Sequence, residues 1–139
     1  MKLVLVSAIL ASISFAFVSP DSSNKSNPLQ DKKKWVAPES SKKVKNPVAC
    51  DSESLSSGKE LYNKHCKSCH GATGKGDGPK AAELETETGD FKKMAPHTDG
   101  ELFYKIKEGK DDMPSFKKKI SDDEEIWNIV NYMNTLKKK

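Results

Sequence analysis

Arginine is absent from the 139 residues, so all 24 basic side chains are lysine. No histidine stands beside a catalytic carboxylate either, and the parts of a peroxidase site are therefore missing. Cysteine occurs three times, which leaves at least one thiol without an internal partner. A structural zinc site needs four protein ligands, commonly two Cys-x-x-Cys pairs or a Cys pair with a His pair. This chain has one close Cys pair, and His65, His70 and His97 do not supply the other half. No stretch alternates as a strand, so the strand that precedes Cys-x-x-C in a thioredoxin-like oxidoreductase is lacking as well. Apolar content is low, with 35% hydrophobic residues against 32% charged and a mean hydropathy of −0.73. Such a chain, with room for one domain of about 100 to 150 residues, is expected to draw part of its apolar core from a bound group.

One long apolar run is present, Leu3 to Val18, interrupted by Ser7, Ser12 and Ser14 and preceded by the single charge of Lys2. It is shorter than the roughly 20 residues a membrane span requires, and Ser14-Phe15-Ala16 offers a small-x-small cleavage site. Residues 1–16 read as a secretory signal, with an uncleaved anchor as the alternative, and they place the rest in the periplasm or an equivalent exported compartment. Residues 17–50 read as a basic extended arm rich in Lys, Ser, Asn and Pro. It holds seven Lys against Asp21, Asp31 and Glu39, whereas residues 51–139 hold sixteen Lys against seventeen acids. The basic excess thus lies in the arm, suited to docking or to a solvated tether. Trp35 and Val36 are expected to lie along the domain's apolar surface. Cys50 lies too far beyond the apolar run to be a lipidation site.

The domain at 51–139 is predicted to be all-α. A first helix is expected from about Ser54 to Lys67, with Leu55, Gly58, Tyr62 and His65 on one face. Four Gly and a Pro between Gly71 and Pro79 predict a tight loop. Thr98 and Glu101 form a capping-box pair that opens a short helix ended by Gly109. Ser121 and Glu124 repeat the signal ahead of a last helix over about 122–136, striped by Ile126, Ile129, Val130, Met133 and Leu136.

Cys66-Lys67-Ser68-Cys69-His70 is a C-x-x-C-H sequence. Two thiols three residues apart lie about one helical turn apart, so both can add to the vinyl groups on one edge of a porphyrin. His70 then falls near the macrocycle's centre and can offer a neutral imidazole nitrogen to iron. A plain Cys66–Cys69 disulfide is the bland alternative.

Gly58-Lys59-Glu60-Leu61-Tyr62, then Cys66 to Gly71, then Asp112-Met113-Pro114, together resemble a class I cytochrome c, a likeness that covers about two thirds of the chain. The resemblance implies one covalently bound haem c in an all-α fold. It implies that Gly58 and Tyr62 meet the Tyr132 region where the first and last helices cross. It also implies that the Pro79 carbonyl accepts the N–H of His70, which would fix that ring's tautomer. Met94, Met113, Met133 and His97 are the candidates for the distal iron ligand. Met133 sits in the apolar stripe and Met94 in a polar loop, whereas Met113 precedes Pro114 between two helices, has Phe116 nearby, and matches the family's Met-Pro pattern.

The expected function is a single-electron carrier and not an enzyme, because His/Met ligation leaves no open coordination position. Its partners would be redox proteins such as an oxidase or a quinol-oxidising complex, with membrane-complex association possible and neither nucleic acid nor a small-molecule substrate involved. A haem subunit or docking domain of a larger membrane-bound complex is the alternative, and a haem enzyme or gas sensor a more distant one. Lys67, Lys110 and Lys117 to Lys119 would form a mixed rim with Asp111 and Asp112 near the haem edge.

Overall fold

The computed structural model describes residues 35–138, so the expected signal segment and the first half of the arm lie outside the described residues. Among the described residues five helices follow in order: α1 Glu39–Lys42, α2 Ser52–His65, α3 Lys67–His70, α4 Asp99–Glu108 and α5 Asp123–Lys138, with a 3₁₀ turn at Ala81–Glu83. No strand forms among the described residues, in keeping with the all-α reading.

Local chemistry sets the helix ends. The Asp51 carboxylate accepts the Ser54 N–H at 2.9 Å, so α2 opens two residues ahead of the expected Ser54. At α4 the Thr98–Glu101 capping box forms in both directions, and Gly109 at φ 69° ends the helix. The expected Ser121–Glu124 pair does not open α5. The Asp122 carboxylate takes that role, accepting the Glu124 N–H at 2.9 Å.

α2 packs chiefly against α5. Their closest approach is at Gly58, where an added Cβ would stand 2.0 Å from the Asn128 carbonyl oxygen and 3.0 Å from the Tyr132 Cβ. One turn on, the Tyr62 and Tyr132 rings lie 5.4 Å apart, so the crossing implied by the resemblance is present. Tyr62, Ile126, Ile129 and Val130 are fully buried at its centre, and Leu102, Ile106, Phe116, Ile120, Trp127, Met133 and Leu136 surround them. Phe103 stacks on Trp127 at 4.1 Å.

The part of the expected extended arm that is described, from Trp35 onward, folds onto this helical unit. Ala37 and Ser41 are buried, and α1 lies against α4 where Gly100 leaves space: a Cβ there would meet the Ser41 carbonyl oxygen at 2.1 Å. The buried Asn131 amide of α5 donates to Ser54 Oγ at 2.8 Å and to the Val48 and Ala49 carbonyls at 3.3 Å, and accepts from Asn46 at 2.8 Å. A polar side chain with all its partners supplied inside the protein offsets the loss of water, and here it joins residues 46–49 to both main helices. Trp35 is half-buried with the Lys105 ammonium 5.3 Å from its ring centroid, a cation–π contact. Val36 is 66% exposed and does not cover the core as expected.

Candidate haem site

The C-x-x-C-H segment is a single helical turn that continues from α2. The Cys66 N–H donates to the Tyr62 carbonyl at 2.8 Å, and the His70 N–H to the Cys66 carbonyl at 2.9 Å. Both cysteines and the histidine therefore come from one short rigid piece. Cys66 is buried and Cys69 half-buried, and the two are free thiols with no disulfide between them. Burial, with the neighbouring Cys69, pushes the Cys66 thiol up to about 12, which keeps it neutral.

The glycine-rich loop folds back over this turn. Gly76 donates to the His70 carbonyl at 3.0 Å, Gly78 to that of Cys69 at 3.1 Å, and Lys80 to that of Ser68 at 2.8 Å. The C-terminal carbonyls of α3, which a helix end leaves without partners, are satisfied by the loop. From beneath, the buried Tyr62 hydroxyl donates to the Gly71 carbonyl at 2.8 Å, and burial raises its pKa so that it remains a donor.

His70 is half-buried, and its Nδ1 is buried without a hydrogen-bond partner. The expected bond to the Pro79 carbonyl is thus not formed, although Gly78 and Lys80 on either side of Pro79 are both anchored to α3. A buried ring nitrogen without a partner is costly in a folded protein and marks a ring that is not held in its final setting. Burial also holds the imidazole below its usual pKa, favouring the neutral form that can bind a metal.

Met113 lies in a turn closed by reciprocal backbone bonds between Lys110 and Met113, at 2.8 and 2.9 Å, with Asp111 in the left-handed region at φ 52°. Three residues on, Phe116 is buried, bonds through its N–H to the Ile106 carbonyl, and meets the His65 ring edge-on at 5.9 Å. His65 directly precedes Cys66, so this contact ties the methionine turn to the cysteine-bearing helix. Met113 is half-buried against the cluster that includes Cys66, and Met94 packs partly buried against the same cluster. Met133 is buried in the core, the role its place in the stripe implied. His97 has both ring nitrogens engaged, Nδ1 with the Ala95 carbonyl at 2.6 Å and Nε2 with the Lys105 ammonium at 2.6 Å. It presents no nitrogen to a metal.

The sequence reading missed Phe91, which lies 4.9 Å from the His70 ring. The signal was available, since Phe91 is the one aromatic side chain between the glycine-rich loop and α4. Lone aromatics in polar segments usually cover something apolar.

Two thiols on one turn, a neutral imidazole with a buried nitrogen lacking a partner, and a thioether on a fixed turn suit haem c. The family model described as cytochrome c oxidase, cbb3-type, subunit III matches residues 53–133. The chain belongs to this cytochrome c family. A c-type cytochrome carries covalently bound haem c, and electron transfer is the role that goes with it. Among solved structures, the cytochrome is similar to a chain of the reducing HAO-like protein complex Kustc0457/Kustc0458 of Kuenenia stuttgartiensis, at 29% identity and a TM-score of 0.59 over 67% of its length. It spans 49% of that chain, about half its length. It is also similar to the KustC0563 c-type cytochrome, at 30% identity and a TM-score of 0.50, over 58% of its own length and 96% of the other's. Cytochrome CL of the marine methylotroph Methylophaga aminisulfidivorans shares the fold at 19% identity and a TM-score of 0.50, over 77% of this chain and 71% of that one. None of the curated proteins matches the sequence. Among the described residues, no helix of the cytochrome is long and apolar enough to cross a membrane.

Proposed function

We propose that Cys66 and Cys69 hold the haem as thioethers, that His70 and Met113 are its proximal and distal iron ligands, and that the protein passes single electrons between a respiratory donor and a terminal acceptor in an exported compartment. The observation that carries this reading is the single turn from Cys66 to His70, which presents two free thiols and an imidazole whose Nδ1 has no partner, so that the ring is free to seat with Nε2 toward the iron. Bound haem supplies a one-electron Fe(III)/Fe(II) couple. Attachment at both ends of one helical turn fixes the ring's edge, and the anchored loop keeps Pro79 beside α3, where its carbonyl is the acceptor for the Nδ1–H of His70 once the imidazole is seated. Met113 would contribute a soft thioether that favours Fe(II), and with His70 and Met113 both supplied by the protein the iron would have no place for substrate. Exposed Lys67, Lys117, Lys118 and Lys119 suit an acidic redox partner. A second reading, a haem subunit of a larger redox complex, is favoured by the family model and by the similarity to a chain of the reducing HAO-like complex.

The two half-buried methionines provide the test of the distal ligand. Met113→Ala is expected to lower the reduction potential by about 59 mV or more, a tenfold change for one electron, and to let carbon monoxide bind the reduced iron. Met94→Ala should do neither. Redox titration and carbon monoxide difference spectra on both variants decide the matter: a shift with Met94→Ala and none with Met113→Ala reverses the assignment.

A further inference from the structure

We propose that Phe91 positions the His70 imidazole and closes its side of the site to water, and that Gly74 sets where the Phe91 ring lies, so that this glycine–phenylalanine contact tunes the reduction potential. The inference rests on His70 being the proximal ligand.

Phe91 belongs to the loop that leads toward α4, seventeen residues beyond Gly74, yet its N–H donates to the Gly74 carbonyl at 2.8 Å. Its side chain is 5% exposed, lies 4.9 Å from the His70 ring with 36° between the planes, and meets Tyr62 edge-on at 6.5 Å. Tyr62 is itself fixed by its crossing with Tyr132 and by its bond to the Gly71 carbonyl. The Phe91 ring therefore has a rigid neighbour on one side and the imidazole on another.

Gly74 shapes the remaining side. Its φ is 73°, and a Cβ there would stand 2.4 Å from the Phe91 Cδ2 and 3.0 Å from Cε2. Any larger residue at 74 would push the ring from its place, so the glycine serves both the turn and the aromatic. An apolar wall over the ligating histidine lowers the local dielectric and disfavours the more charged Fe(III) state. A displaced imidazole would also bind at a different angle about its bond to iron.

The test uses holoprotein: wild type, Phe91→Ala, Phe91→Leu, Gly74→Ala, and Gly74→Ala combined with Phe91→Leu. Reduction potential and the haem methyl NMR shifts of the oxidised protein, which follow the orientation of the axial imidazole, are the readouts. Phe91→Ala should lower the Fe(II) to Fe(III) ratio at a fixed ambient potential about tenfold, or about 59 mV. Phe91→Leu, which keeps an apolar wall, should restore most of the potential. Gly74→Ala should change the methyl pattern, and that change should shrink sharply when Phe91→Leu removes the ring it strikes. Wild-type potential and methyl shifts in Phe91→Ala would overturn the proposal. So would a Gly74→Ala effect of equal size with and without the ring. If Phe91→Ala gives no holoprotein, the Gly74→Ala comparison decides alone. Haem attached elsewhere than residues 66–70 in the wild type would instead defeat the underlying ligand assignment.

Discussion

Replacing Cys66 and Cys69 together by alanine is expected to abolish covalent haem and to remove most of the helical signal in far-ultraviolet circular dichroism. The substitution itself deletes little: two sulfur atoms, one buried and one half-buried. A cavity of that size costs on the order of 1 kcal/mol and would leave a robust domain folded. The domain is small, however, and charged residues outnumber hydrophobic ones in it. Chains of this size bury a modest share of their surface and stay close to the threshold of stability. The buried His70 nitrogen without a partner is a further cost that the haem-free chain must bear. Loss of the haem should therefore exceed the margin. A haem-free variant with a native-like helical spectrum and a cooperative thermal transition would show that the polypeptide completes its own core.

The second large effect is predicted at the helix crossing. Gly58→Ala should destabilise the holoprotein by about 3 kcal/mol or more, at or beyond the upper end of overpacking costs. On an exposed helix face the same change would stabilise by up to about 1 kcal/mol through helix propensity. Here the new Cβ would stand 2.0 Å from a backbone oxygen of α5, which no rotamer can relieve, so the two helices must separate. Gly89→Ala is the control, since its Cβ would meet only Met94 at an ordinary 3.7 Å and the change should fall within about 0.5 kcal/mol. Denaturant midpoints of the two variants measure the contrast. Equal midpoints would remove Gly58 from its place as the determinant of the α2–α5 approach.

Local signals were legible from sequence where short-range chemistry decides the outcome. The capping box at Thr98, the stop at Gly109 and the apolar stripe of α5 all follow from residues within a turn of one another. The turn that groups Cys66, Cys69 and His70 follows from spacing alone. What could not be read depends on contacts between distant residues. Residues 35–50 look like a solvated arm by composition, and their attachment to the domain depends on Asn131, more than eighty residues beyond Asn46, and on the gap at Gly100. Phe91 reaches His70 through a loop whose path no periodicity encodes. At α5, Ser121 and Asp122 are both competent caps, and the helix starts from the second.

The central claim is that haem is attached through Cys66 and Cys69. Mass spectrometry of peptides from protein purified out of a host that attaches haem tests it most directly. One haem mass is expected on the peptide containing Cys66 and Cys69, with neither of those thiols open to alkylation and Cys50 alkylated at its exposed thiol. A haem-free peptide with Cys66 and Cys69 alkylated, or joined as a disulfide, would contradict it.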